Sequence, residues 1–412
     1  MKTQSNRLFA CLAPLLFAPA LALAGTPSAS SAEATPPKEE SALEKLWGFA
    51  DFYKDPSNHF IDEIHMTGRY QGDFFNISPR TTPTSSTKIV AGQPVKVNQQ
   101  YNNWETRRFR AGLEIWLFDH HLRLQGEADS NLDKSIVYNR MTTLNLRYQL
   151  NEAFNFTLGK MEPRFGYERM VSDRLQPFIE RTFFDDQLGI DFTSTAEIYG
   201  KIGNWGYYVA AYSEDINKEW GRFRGGWAYQ GEISYDFAKS MGADKAKLVL
   251  DYLHSEINKQ YSATFGHYND AAALYFDYQK GAFGLVSQIG YAYGVGNTAL
   301  NKTNPKRGVA QFMIMPGYYI TKNLQAEFRY SLGYSDSITG ITELNRQDKL
   351  IAPKAVGHVI NSEYLGLNYY INGDKLKLMT AISYDNLAGG TGKGVGKGYK
   401  GFTYYAGIRM FF

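Results

Sequence analysis

The sequence predicts an all-β chain. Sixteen antiparallel strands close into a transmembrane barrel, with short periplasmic turns, long extracellular loops and a third loop folded inward. Three observations predict it. First, the segment Phe402–Phe412 alternates: Phe402, Tyr404, Ala406, Ile408, Met410 and Phe412 share one face, and Thr403, Tyr405, Gly407, Arg409 and Phe411 the other. A strand of about 9–11 residues with an apolar face and aromatic ends is the unit of an outer-membrane barrel. Second, such strands recur along the chain, joined by connections that are alternately short and long. Third, aromatics make up 15% of the chain, 39 residues are glycine, and mean hydropathy is only −0.39. Beyond the first residues no apolar run is long enough for a spanning helix, whereas a barrel needs only alternating hydrophobicity.

Residues 1–24 read as a signal peptide. Lys2 and Arg7 are its basic start, Leu8 to Leu21 its apolar run, and Ala22-Leu23-Ala24 its cleavage site. Pro14 and Pro19 interrupt the run, which is short for a membrane anchor. The only cysteine, Cys11, lies here, so the mature chain offers no disulfide and no cysteine nucleophile. Of 44 basic residues Lys2 and Arg7 leave with the leader, so 42 face 41 acidic ones, a net charge of +1. That balance lacks the basic footprint of a nucleic-acid binder, and none is expected as a partner.

Residues 25–63 read as a periplasmic lead-in. Gly25 to Glu40 is rich in Pro, Ser, Thr and Ala. Ser41 to Tyr53 carries a Ser41-x-x-Glu44 capping box and Leu43, Leu46, Trp47 and Ala50 at helical spacing. This predicts a short amphipathic helix, ended by Pro56, on the periplasmic rim or in the mouth. The barrel is expected over 64–412. Its strands are Ile64–Phe75, Arg107–Phe118, Leu122–Leu132, Met141–Leu150, Phe154–Lys160, Ile190–Ile202, Trp205–Ser213 and Trp227–Phe237. Eight more follow: Ala246–His254, Ala271–Gln279, Phe283–Tyr293, Val309–Ile320, Leu324–Tyr334, Ser362–Ile371, Leu376–Asp385 and Phe402–Phe412. Sixteen strands leave an aqueous lumen, so a pore is the expected default. Outer-membrane lipid is the expected surrounding.

Side-chain parity divides lumen from lipid. Phe109, Ala111, Leu113, Ile115 and Leu117 take the lipid face of the second strand, which sends Arg108, Arg110 and Glu114 inward. The same reading puts Arg69, Arg123, Arg147, Arg329, Lys377 and Arg409 inside, forming with Arg108 and Arg110 a basic wall on strands one to four and thirteen to sixteen. Glu114, Glu127, Asp129 and Glu327 dilute it. Strands six to eleven send Asp191, Glu197, Glu232, Asp236, Asp251 and Asp277 inward instead. Charges lining a lumen tune selectivity; the plainer alternative is that they only solvate it, with pairs such as Arg110 and Glu127 neutralising each other.

The third long loop, Met161–Gly189, is too apolar for a solvent-exposed loop: it holds Pro163, Phe165, Leu175, Pro177, Phe178, Phe183 and Phe184. Its charges interleave, with Glu162, Glu168, Asp173, Glu180, Asp185 and Asp186 among Arg164, Arg169, Arg174 and Arg181. Long structured loops carry function, and this one is expected to fold inward as a constriction. The alternative is a loop packed on a neighbouring subunit. The last loop holds a Gly-rich run from Gly389 to Gly401 with Lys393, Lys397 and Lys400. It lacks P-loop spacing and reads as a basic surface loop. His59, His65, His120, His121, His254, His267 and His358 are scattered, and no catalytic motif, metal-ligand pattern or cofactor signature appears. The chain is read as no enzyme.

Asn155–Phe184 resembles the phosphate-selective porin O/P family. The shared features are Leu158-Gly159-Lys160 ending a strand, then Glu162-Pro163-Arg164-Phe165-Gly166, then Phe178-Ile179-Glu180-Arg181. Arg107-Arg108 and the terminal Tyr-x-Gly-x-Arg strand are also similar. The resemblance implies a trimeric, water-filled outer-membrane channel with anion preference, in which basic residues at the constriction bind phosphate. Carried onto this chain, it makes Lys160, Arg164, Arg169, Arg174 and Arg181 the candidates. Here acids alternate with these bases. The expected function is passive diffusion of small hydrophilic solutes with a mild anion preference, phosphate being the candidate that the resemblance implies. The rival is a barrel enzyme or adhesin with a blocked lumen.

Overall fold

The computed structural model describes residues 42–81, 87–90, 93–96, 102–213, 219–220, 226–256, 268–294, 308–336, 340–342, 356–389 and 398–412. The expected signal peptide, the lead-in up to Ser41 with its capping box, and residues 390–397 of the Gly-rich loop lie outside these residues. The barrel strands are β1 (Ile61–Thr81), β2 (Asn102–Leu117), β3 (Leu122–Asn131), β4 (Ile136–Asn151), β5 (Phe154–Met161), β6 (Thr193–Ile202), β7 (Trp205–Ser213) and β8 (Trp227–Asp236). The second half is β9 (Lys245–Ser255), β10 (Asp270–Lys280), β11 (Phe283–Tyr293), β12 (Gly308–Tyr319), β13 (Leu324–Ser335), β14 (Val359–Asn372), β15 (Leu376–Ala388) and β16 (Lys400–Phe411).

Each strand pairs antiparallel with the next, and β16 returns to β1, with Arg69 opposite Phe411 and Tyr70 opposite Met410. The sheet is therefore closed, which satisfies every wall strand's hydrogen bonds within the bilayer. The strands match the expected sixteen, and β7 and β11 coincide residue for residue with the sequence reading. The differences lie mostly at the extracellular ends. β1 continues to Thr81, β2 begins at Asn102 and β4 at Ile136. These extensions stand above the apolar band, where no lipid imposes alternation, so the pairing outlasts the pattern.

A bulge separates Gln71↔Arg108 from Gly72↔Thr106. It leaves Arg107 as the extra residue, and the consecutive Arg107 and Arg108 both reach partners on the lumen side.

The helix expected over Ser41–Tyr53 is shorter than the spacing suggested. It runs as α1 (Ala42–Trp47) into a single 3₁₀ turn, Gly48–Ala50. Asp51–Lys54 is extended and pairs with β1, Asp51 opposite His65 and Tyr53 opposite Ile64. The cause is tertiary. β16 ends opposite Gly68, so the first residues of β1 have a free edge there, and this segment occupies it.

Candidate functional site

The segment between β5 and β6 contains two short helices, α2 (Tyr167–Met170) and α3 (Phe183–Leu188). The rest is irregular, so its backbone polar groups need partners from elsewhere. The inner wall supplies them. Gly166 N donates to the Asp251 carboxylate on β9 at 3.0 Å, and Tyr167 N to Gln288 Oε1 on β11 at 2.8 Å. Ile179 N donates to the Tyr364 hydroxyl on β14 at 3.2 Å. In the other direction, Gln71 on β1 donates to Asp173 O at 3.1 Å, Lys377 on β15 to Gln176 O at 3.0 Å, and Arg329 on β13 to Glu180 O at 2.8 Å. Wall strands on all sides of the lumen thus hold the loop, and it crosses the lumen.

Apolar contacts complete the docking. Phe165, Phe178, Ile179, Phe183, Phe184 and Leu188 are buried in one cluster with wall residues such as Tyr212, Met313 and Tyr364. Burying each of these large side chains contributes about 1.5–3 kcal/mol. Two wall glycines receive rings: a Cβ at Gly290 would overlap Phe184, and one at Gly333 would overlap Phe183. The core of the molecule therefore lies inside the barrel, between loop and wall.

The loop's charges are paired. Asp173 meets Arg108 at 2.8 Å, Arg69 at 3.4 Å, and Arg181. Arg181 also reaches Asp185 at 3.2 Å and Glu162 at 3.5 Å. Arg169 holds Asp185 at 2.7 Å and pairs with Glu162. Glu168 meets Arg329 at 2.9 Å and accepts from Thr182 N. Arg174 reaches Glu127 at 3.3 Å and lies over the Phe411 ring. Burial opposes ionisation of Asp173, but Arg108, Arg181, Arg69 and Arg110 outweigh it and hold the carboxyl well below its ordinary range. Burial likewise pulls Arg181 down, and Asp185, Asp173, Glu162 and Glu168 overcome it to keep that guanidinium charged.

Lys160 is not brought into this cluster. It pairs in register with Leu144 and Ser194 at the end of β5, and Leu144 is on the lipid side. Its side chain is buried, and the charges nearest it are those of Arg140, Glu219 and Asp191 rather than those around Asp173.

The wall bases divide into two groups. Arg110 is tied to Glu127 at 3.4 Å and Asp129 at 3.5 Å, Arg409 to Asp73, and Lys377 to Asp374 at 2.8 Å. Nearer the periplasmic turns, Arg123 and Arg147 stand directly opposite each other on β3 and β4. Arg147 and Arg164 share the Tyr199 ring, at 5.7 and 5.4 Å from its centre. Arg123 reaches Glu114 only at 3.6 Å, and Arg164 reaches Glu197 at 3.2 Å. Arg147 donates to the amide oxygens of Gln149 and Asn155, and among the described residues no carboxylate pairs with it. The Nε atoms of Arg123 and Arg147 are buried without a partner. Beside this patch opens a cavity of about 420 Å³ lined by Asn155, Arg164, Tyr199, Tyr207 and Tyr208. Among the acids, Glu197, Glu232, Asp251 and Asp277 are buried toward the lumen, Asp236 meets Lys201 at 3.5 Å, and Asp191, just before β6, pairs with Arg140.

Among the lumen bases that the sequence reading missed are two arginines. Arg107, turned inward by the bulge, meets Glu180 at 3.4 Å, and Arg140 pairs with Asp191 and lies over Phe192. The doublet Arg107-Arg108 was a signal for the first, because two adjacent bases in a lipid-facing strand require a bulge. Arg140 sits beyond the alternating stretch and gave none.

A search of curated proteins finds none that matches. Among solved structures, the outer membrane channel DcaP of Acinetobacter baumannii superposes with a TM-score of 0.53 at 14% identity, covering 87% of this chain and 99% of that one. OprB of Pseudomonas putida gives 0.56 at 10% identity, over 90% and 96% of the two chains. OmpF of Salmonella typhi gives 0.56 at 11%, over 88% and 100%. At these identities the likeness is one of fold. The family model described as phosphate-selective porin O and P matches residues 111–331, more than half of the sequence. With the closed sixteen-strand barrel already on hand, that match settles the class: the chain belongs to the phosphate-selective porin O and P family and is a bacterial outer-membrane channel for passive diffusion.

Proposed function

We propose that this porin favours small anions, and that the preference arises at the patch of Arg123, Arg147 and Arg164. The observation that carries this reading is Arg147: a lumen-side guanidinium next to two others, with amide oxygens and no carboxylate as its described partners. Most bases higher in the lumen are held by acids, so their fields largely cancel. The residues of Met161–Gly189, including Glu162, Arg164, Glu168, Arg169, Asp173, Arg174 and Arg181, narrow the passage, and their pairing makes that segment a fixed constriction. Phosphate is the candidate anion because planar guanidinium groups match its oxygens. Lys160 is left out of the constriction.

The protein acts as a homotrimer in this proposal. An apolar groove of about 750 Å³ on the lipid face, lined by Leu113, Leu144, Leu158, Ala196, Ala211 and Trp227, supports a protein contact there. Catalysis has no part in the reading.

Purified protein in planar bilayers tests it. Discrete conductance steps, an anion-side reversal potential in a KCl gradient and block by added phosphate are the expected result. Steps without selectivity would overturn the anion assignment. Silence from folded, inserted protein would favour the blocked-lumen alternative, for which the tight packing of Phe183 and Phe184 on the wall is the relevant observation. Deleting most of Met161–Gly189 is expected to raise single-channel conductance; an unchanged step in a folded variant would remove the loop from the constriction.

A further inference from the structure

The segment before the barrel presents apolar side chains outward. Leu46, Phe49 and Phe52 are 60, 52 and 59% exposed, although this stretch sits against the wall. Three contacts set the direction of Phe49. Trp47 Nε1 donates to Phe411 O at 2.6 Å, tying α1 to the end of β16. The Phe49 ring meets the Phe412 ring edge-on at 4.8 Å. Phe412 in turn exchanges backbone hydrogen bonds with Gly68, and its ring covers the place a Gly68 Cβ would take. Gly68 shares its face with Tyr70 and Phe74, and Phe74 is on the lipid side.

The short strand that follows is bulged: Asp51 lies opposite His65 and bonds its ring at 2.7 Å, Tyr53 lies opposite Ile64, and Phe52 is the extra residue between them, with its ring exposed. Leu46 and Phe49 are three residues apart and share a face, beside the one that buries Trp47 and Ala50.

We infer that Leu46, Phe49 and Phe52 form an interfacial anchor that inserts into the inner leaflet of the outer membrane. Its partner is the boundary between phospholipid headgroups and acyl chains. The patch is continuous with the lipid-facing wall through Phe412, and nearby Phe60 packs edge-on against Phe118 at 5.1 Å in the same turn-end zone. Aromatic side chains at that level form the girdle of membrane barrels. The anchor also keeps Asp51–Lys54 on the free edge of β1 beside the barrel seam.

The mature chain is expected to lack cysteine, so single labels are specific. Leu46→Cys, Phe49→Cys and Phe52→Cys would each carry a nitroxide, in the full chain reconstituted in phosphatidylethanolamine/phosphatidylglycerol vesicles. Leu274→Cys on the lipid face is the reference, and the unsubstituted protein is the labelling control. Collision with oxygen and with a water-soluble nickel chelate is then read by power saturation. Oxygen-dominated collision at all three sites, at a shallower depth than at 274, is the expected result. Nickel-dominated collision would place the segment in water and overturn the inference. Spin–spin broadening, removed by dilution with unlabelled protein, would assign the patch to a second copy and overturn it equally. Phe52 is the most independent probe, because its exposed side chain can be replaced without disturbing the seam.

Discussion

Arg147 and Arg108 are lumen arginines with different neighbours, and the difference governs what each substitution does. Arg108 meets Asp173 at 2.8 Å, so reversing its charge breaks an ion pair that holds the loop. Arg147 is bonded to amide oxygens, so its charge is available to a solute. A unit charge about 4 Å away is worth about 1 kcal/mol in bulk water, close to fivefold in occupancy. Arg147→Gln is therefore expected to lower anion-over-cation preference by roughly fivefold in 0.1 M KCl. In 1 M KCl the effect should vanish, since the screening length falls to about 3 Å. Reversal potentials at both salts check this, and an unchanged low-salt potential would detach selectivity from the patch. Arg108→Gln is expected to act instead on loop seating, as added conductance noise with little change in reversal potential.

At the scale of elements, the loop's hold on the wall has a defined pH window. Asp173 is kept well below the ordinary carboxyl value by Arg108, Arg181, Arg69 and Arg110, against the cost of burial. A depressed acid contributes stability that is fully present above its unfolded value, about 3.9, and is lost as pH falls through the folded value. The contacts of Asp173 are therefore expected to persist from pH 7 to about 4 and to be lost only below that, whereas burial pushes the Glu168 carboxyl up, so its contact with Arg329 weakens at higher pH than those of Asp173. Single-channel steps recorded down to pH 3 test it; a transition near pH 6 would identify another group as the latch. The strands around the loop were legible because lipid on one face and water on the other force a period of two, which is why Phe283–Tyr293 reads directly from its residues. The inward turn of Met161–Gly189 was legible from its misplaced phenylalanines. The pairings within it were not. Which base meets Asp173 depends on side chains from β1, β2 and the loop itself, brought together only by closure. Gly290 and Gly333 likewise look like ordinary strand glycines until Phe184 and Phe183 are set upon them.

The whole molecule depends on one seam. A closed barrel has no edge only if its last strand finds its first, and here β16 must pair with β1 across the entire chain. Arg409 and Asp73 face each other over that seam, with side chains 4 and 0% exposed. Neither has water to fall back on, and removing one partner of such a buried pair typically costs about 3–5 kcal/mol. The pair between Lys245 on β9 and Asp277 on β10 is the natural contrast, since its lysine is 49% exposed and water screens the pair more than it screens Arg409 and Asp73. Arg409→Leu is therefore expected to lower markedly the temperature at which the folded band disappears on a heat-modifiability gel, and Lys245→Ala to leave it nearly unchanged. Adding Asp73→Asn to Arg409→Leu should recover much of the loss, because the buried position then carries no charge that the guanidinium has to balance. Equal effects of Arg409→Leu and Lys245→Ala would mean that closure is no weaker at the seam than elsewhere. Failure of the second substitution to rescue would mean that the guanidinium serves Gly72 O and Ile408 O, which it also approaches, more than it serves the aspartate.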